Sequence, residues 1–157
     1  MIRTLSLVAV LALGSLAVAG GCASTNPQIP VNGEDPQITR LAGEWLGDYR
    51  GLESGREGTI EFDLGVGRHT AEGQVMMKPA GATGAGVPLR IKFVQVMDGR
   101  INGKIEPYMD PQCSCKVETE FFGDLRGDRI HGEFVTRALG NPNAEQFGLW
   151  SVSRSDS

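Results

Sequence analysis

Positive charge, histidine and aromatic rings are all scarce in this chain. Lys and Arg number 15 against 19 Asp and Glu, for a net charge of −4. That balance argues against a nucleic-acid partner, which needs clustered cations to neutralise phosphates. It argues equally against adhesion to anionic lipid by charge alone. Imidazole comes only from His69 and His131, which leaves little for a metal centre or a general base. Two Trp, two Tyr and six Phe stand against 22 Gly, the composition of a light core with many turns and close approaches. There is no G-x-S-x-G, and Ser and His show no spacing that fits nucleophilic catalysis. Gly81-Ala82-Thr83-Gly84-Ala85-Gly86 has the glycines of a phosphate loop but not the Lys-Ser/Thr or the helix that should follow. It reads instead as a flexible hairpin loop, able to cover the mouth of a barrel. No catalytic set, cofactor site or metal site is assigned, and the chain is read as not an enzyme.

Long apolar runs are also missing, with one exception at the N-terminus. After Arg3, residues Leu5 to Ala19 are apolar or small, the plan of a signal peptide whose core is too short for a stable membrane span. The run ends Ala19-Gly20-Gly21-Cys22, which resembles the lipobox of bacterial lipoproteins. Those proteins usually carry Leu where Ala19 stands here. The resemblance implies cleavage of residues 1–21, a diacylglyceryl group on the Cys22 thiol and acylation of the new N-terminus. Several acyl chains anchor stably where one would be marginal. Ala23, rather than Asp, follows the cysteine. In Gram-negative lipoproteins that absence resembles the signal for transfer to the outer membrane, so the expected address is the cell envelope, lipid-anchored on the periplasmic face of the outer membrane. Residues 22–40 carry Pro27, Pro30 and Pro36 with no periodicity and read as the lipidated cysteine and a flexible tether.

From Leu41 to Arg154 no stretch sustains a helical period, and strand signals dominate. Ile60, Phe62 and Leu64 alternate with Glu61 and Asp63. Similar alternation places Ala71, Gly73, Val75 and Met77 on one face, then Leu89, Ile91 and Phe93, and Ile101, Gly103 and Ile105. Val117, Thr119 and Phe121 follow, and then Ile130, Gly132 and Phe134. Gly65-Val66-Gly67, Asp98-Gly99 and Gly127-Asp128 supply tight turns. With strands near Glu44–Tyr49 and Gln146–Ser153, the expectation is an all-β domain. About eight antiparallel strands form an up-and-down meander that closes into a small barrel and so hides its apolar face and edges. Gly73, Gly103 and Gly132 each sit mid-strand on the apolar face, marking sharp bends or places where another side chain crosses.

Leu41-Ala42-Gly43-Glu44-Trp45 resembles the G-x-W opening of the calycin barrels, the lipocalins and avidins. In those families the Trp plugs the closed end and a basic residue late in the chain often stacks on it. Here that implies Arg137 or Arg154. Bacterial metalloprotease inhibitors with eight-stranded barrels open similarly. None of these families' ligand contacts can be carried over, because no second motif anchors them.

Cys113-Ser114-Cys115 lies in a turn predicted over residues 110–115, before a strand. In an oxidising envelope the pair is a disulfide candidate, with a soft-metal site helped by Met109 or His131, or free or redox-active thiols, as the alternatives. His131 falls on the wet face beside Glu133. Glu118 and Glu120 share a face that Lys116 and Arg129 would make a charged outer surface. Thr119 is the polar residue placed inward. The leading expectation is a non-enzymatic, membrane-tethered binding module for a small apolar ligand or an envelope protein. The alternatives are an inhibitor of a protease or other hydrolase, and an enzyme with an interior pocket.

Overall fold

The structure, a computed structural model, describes residues 27–155. Residues 1–21 and Cys22 lie outside the described residues. In chain order the elements are β1 (Gln28–Asn32), α1 (Asp35–Leu41), β2 (Gly43–Gly51), β3 (Glu57–Leu64) and β4 (Thr70–Lys78). Then come β5 (Val87–Leu89), β6 (Ile91–Met97), β7 (Arg100–Asp110), β8 (Cys115–Arg126), β9 (Arg129–Ala138) and β10 (Asn141–Arg154).

The alternation and turns build the expected meander. Strands β6 to β10 pair antiparallel in sequence order, β10 pairs with β2, and β2 to β4 continue the sheet. Asp98 and Gly99 both take positive φ, 52° and 76°, as a two-residue hairpin turn requires. The sheet closes into an all-β barrel. Its closure differs from an eight-stranded antiparallel ring, because β1 fills the gap between β4 and β6. Ile29 pairs antiparallel with Ala71, and Val31 pairs parallel with Val94. The wall is therefore a nine-stranded mixed barrel, with β5 paired to the other half of β4.

This corrects the boundary read from sequence. Residues 28–40 were expected as tether, yet Gln28–Asn32 is a wall strand with Ile29 and Val31 buried. Asp35–Leu41 is a short helix with Ile38 and Leu41 buried across one end of the barrel. Pro30 marks no linker here, and Pro36 sits in the first turn of the helix, where its missing N–H costs nothing.

The helical end is sealed. Trp45 is fully buried, and its Nε1–H donates to the Leu41 carbonyl at 2.8 Å. Arg154 covers it, with the guanidinium carbon 4.4 Å from the ring centroid. Of the two basic residues offered for this stack, Arg154 makes it. Arg137 instead pairs with Glu120 and Glu145 on the outer face.

Of the two roles expected of the mid-strand glycines, the crossing of another side chain is found at Gly103 and Gly132. A Cβ on Gly103 would overlap the Phe121 ring, and one on Gly132 the Trp150 indole. Each aromatic lies across the glycine with which it is paired on the adjoining strand. Gly148 opposite Phe134 repeats the arrangement. At Gly73 the neighbour is backbone, the Glu61 carbonyl and Phe62 Cα, so there the strands themselves approach closely.

One parity was misplaced. Phe93 was expected inside with Leu89 and Ile91, but an irregularity between Ile91 and Phe93 shifts the register. Val94 and Val96 take the buried positions, because one extra residue exchanges the two faces of everything after it.

Candidate functional site

The barrel interior is not filled. An upper chamber of about 90 Å³ lies toward the end opposite α1. A lower one of about 50 Å³ lies between it and Trp45. Ile60, Ile91, Phe121 and Trp150 border both and form the waist between them. An edge-to-face contact of Phe121 on Trp150 at 5.9 Å holds the rings there, and Tyr49 meets Phe134 in the same way at 5.6 Å in the upper chamber. The lower chamber is wholly apolar apart from its Trp indoles.

The upper chamber has apolar walls from Val75, Met77, Leu89 and Ile105, and a ring of polar groups. Thr119 faces inward as expected. Its hydroxyl bonds that of Thr136, its cross-strand partner, at 2.8 Å. Tyr49, Ser54, Arg56, Tyr108 and Thr136 join it on the lining and were not anticipated.

Arg56 and Asp110 are the unexpected pair. Nη1 of Arg56 lies 2.8 Å from Oδ2 of Asp110, with side-chain exposures of 5% and 2%. The approach is too far off the N–H direction for a hydrogen bond, so Nη1 is buried without an acceptor. Nη2 donates to Gln146 Oε1. Asp110 in turn accepts the Gln112 backbone N–H at 2.8 Å. Burying either charge alone would be costly; the pair balances. Tyr49 sits near both Tyr108 and Arg56. Burial first, then Tyr108, holds its hydroxyl far above the usual phenol value, against the pull of Arg56. It is therefore a neutral donor at any ordinary pH.

The rim above this ring is the 111–114 turn, in which Cys113 and Cys115 are joined as a disulfide with Cα atoms 5.1 Å apart. The turn residue Ser114 takes φ 51°. Asp110 and Cys115, predicted as turn, are the last paired residues of β7 and β8. Gln112 ties the turn to the chamber, since its side-chain amide donates to the Ser54 carbonyl at 2.9 Å. Met109 is exposed. Among the described residues no group of three or more His, Cys, Asp or Glu is placed to hold a metal.

The remaining sequence candidates lie outside the barrel. Glu118 and Glu120 do form a charged outer face, but their partner is Lys104, at 3.1 and 2.6 Å, rather than Lys116 or Arg129. The Lys104 hydrogen bond holds the Glu120 carboxyl below its ordinary range. His131 is exposed beside an open outer groove bordered by Phe122, Glu133 and Leu149. His69 is exposed and meets Asp35 at 3.1 Å. The Gly81–Gly86 segment connects β4 to β5 at the chamber end, with Gly81 and Gly84 at positive φ. Among the described residues no helix is long and apolar enough to cross a membrane.

No family model, curated protein or solved structure matches this chain.

Proposed function

We propose that the protein is a non-enzymatic binding module, lipid-anchored through Cys22 at the periplasmic face of the outer membrane, that holds a small, mostly apolar molecule in the upper chamber. The observation that supports this best is the chamber's lining, apolar walls with a few polar groups gathered at one end. That is the usual make-up of a small-molecule site. Its about 90 Å³ is less than the roughly 150 Å³ of an engineered apolar cavity that admits benzene. The occupant is therefore small and slender, or reaches the lower chamber by moving waist side chains. Native mass spectrometry of the protein from its own envelope tests this reading, which expects a bound small molecule. A chain that is always empty, and that no small apolar compound perturbs, would favour an envelope protein as partner. The address has its own test. Cys22→Ser should move the protein to the soluble envelope fraction, and the mature form should yield no peptide upstream of residue 22.

One observation favours an enzyme as the second reading, the convergence of Arg56, Tyr49 and Tyr108 on one chamber, with Asp110 paired to Arg56 behind it. Against it, Asp110 is occupied by Arg56 and Gln112. The Tyr49 phenol is shifted away from the range in which it could accept or release a proton.

A further inference from the structure

We infer that the upper chamber selects a small uncharged molecule with one oxygen acceptor, such as a short ketone or ester, its oxygen on the donors gathered at the polar end, where Tyr49 and Tyr108 stand, and its hydrocarbon body toward Phe121 and Trp150. The inference rests on the interior-binding reading and names the chemistry of the ligand.

Three features of the chamber lead there. First, its charge is already balanced. Arg56 and Asp110 are both buried and 2.8 Å apart, so an anion would add an uncompensated buried charge, and a cation likewise. Second, most polar groups are already engaged. Thr119 and Thr136 bond each other, Arg56 bonds Gln146, and Asp110 accepts from Gln112. The groups left to recognise a ligand are donors: the Tyr49 and Tyr108 hydroxyls on the lining, and Arg56 Nη1, which is buried without an acceptor. Third, the polar ring and the apolar space are in series. Tyr49, Ser54, Arg56 and Tyr108 come from the chamber ends of β2 and β7 and from the β2–β3 turn. Ile60, Ile91, Phe121 and Trp150 lie below, at the waist. A molecule with one polar end and a short apolar body fits that order. A purely apolar one would leave the Tyr49 donor unpaired once it displaced water.

The test uses three probes matched in size and shape, each titrated into the purified full-length protein: 2-pentanone, its alkene isostere 2-methyl-1-pentene, and butyrate. The Trp150 indole N–H resonance reports occupancy, because that ring borders both chambers. The Trp45 indole reports that the closed end stays folded. The expected order puts 2-pentanone first, about fivefold or more ahead of the alkene, the worth of one net hydrogen bond, and further ahead of butyrate. Tyr49→Phe combined with Tyr108→Phe should reduce the ketone's advantage while changing the alkene's affinity less. Butyrate binding best, or ketone and alkene binding equally, overturns the inference and leaves the interior-binding reading standing. Failure of all three to shift Trp150 overturns both.

Discussion

Arg154 lies over the Trp45 ring at 4.4 Å while its guanidinium also donates to the carbonyls of Arg40 and Ala42, where α1 ends. One side chain thus does two jobs. It caps the last turn of the helix that seals the barrel, and it covers the indole beneath. The helix has no side-chain N-cap bond and only seven residues, too short to persist without tertiary support. Arg154→Ala should therefore cost about 2–3 kcal/mol, combining a partly buried cation–π contact with charged hydrogen bonds to helix carbonyls. Arg154→Lys keeps the charge but loses the planar fork, and should recover less than half of that loss. Denaturant unfolding measures both. A lysine variant as stable as the parent would show that charge alone matters.

The pairing of aromatics with glycines across strands predicts an asymmetry among glycines. A Cβ at Gly132 would run into the Trp150 indole and the Phe122 carbonyl. Neither can yield without moving the waist, so Gly132→Ala should cost about 3 kcal/mol. A Cβ at Gly65 meets only the mobile Arg68 side chain at 3.1 Å, and Gly65→Ala should stay within about 0.5 kcal/mol. Equal effects at the two sites would mean that the rings do not lie across the backbone as described.

The inward-facing strands were legible because their alternation is long and uninterrupted, as in Val117, Thr119 and Phe121. The errors sit where the period is broken or short. β1 offers only Ile29 and Val31 around a proline, too little to separate a strand from a linker. The irregularity after Ile91 is marked only by the adjacent apolar residues Phe93 and Val94, with polar Lys92 and Gln95 three apart, and the alternation from Leu89 was carried through it, so Phe93 was placed inside. The upper chamber was the least legible part. Thr119 could be placed by parity, but Arg56 follows a Ser-Gly turn and Asp110 precedes a proline, where charges are ordinarily solvated. Only the closed barrel brings those two together, across 54 residues of chain.

That pair should behave non-additively. Asp110→Leu alone strands a buried guanidinium and Arg56→Met alone a buried carboxylate, and each should cost about 3–5 kcal/mol. Replacing both charges with apolar groups of similar size, Arg56→Met with Asp110→Leu, removes the desolvation penalty together with the attraction. It should lie within about 1 kcal/mol of the parent. Denaturation of the two single variants and the double completes the cycle. A double variant as unstable as the sum of the singles would place the pair in solvent-like surroundings, contrary to its burial.

Tyr49 carries a prediction at alkaline pH. Its folded-state pKa is raised above the unfolded value of about 10, so near that pH and above it the unfolded chain releases a proton that the folded chain retains. The stability tied to this group is complete below pH about 10. It falls as pH rises further, at up to about 1.4 kcal/mol per pH unit for one proton. Lys104, raised by its hydrogen bonds to Glu120 and Glu118, changes in the same direction, so stability alone does not isolate the phenol. Phenolate absorbance does. The chain has two tyrosines, and the Tyr49 component should appear only as the barrel unfolds, coincident with loss of the Trp150 signal. In Tyr49→Phe that late component should vanish. A Tyr49 phenolate that forms near its ordinary value in the folded protein would mean that water reaches the upper chamber freely, and the neutral-donor character assigned to this hydroxyl would fail with it.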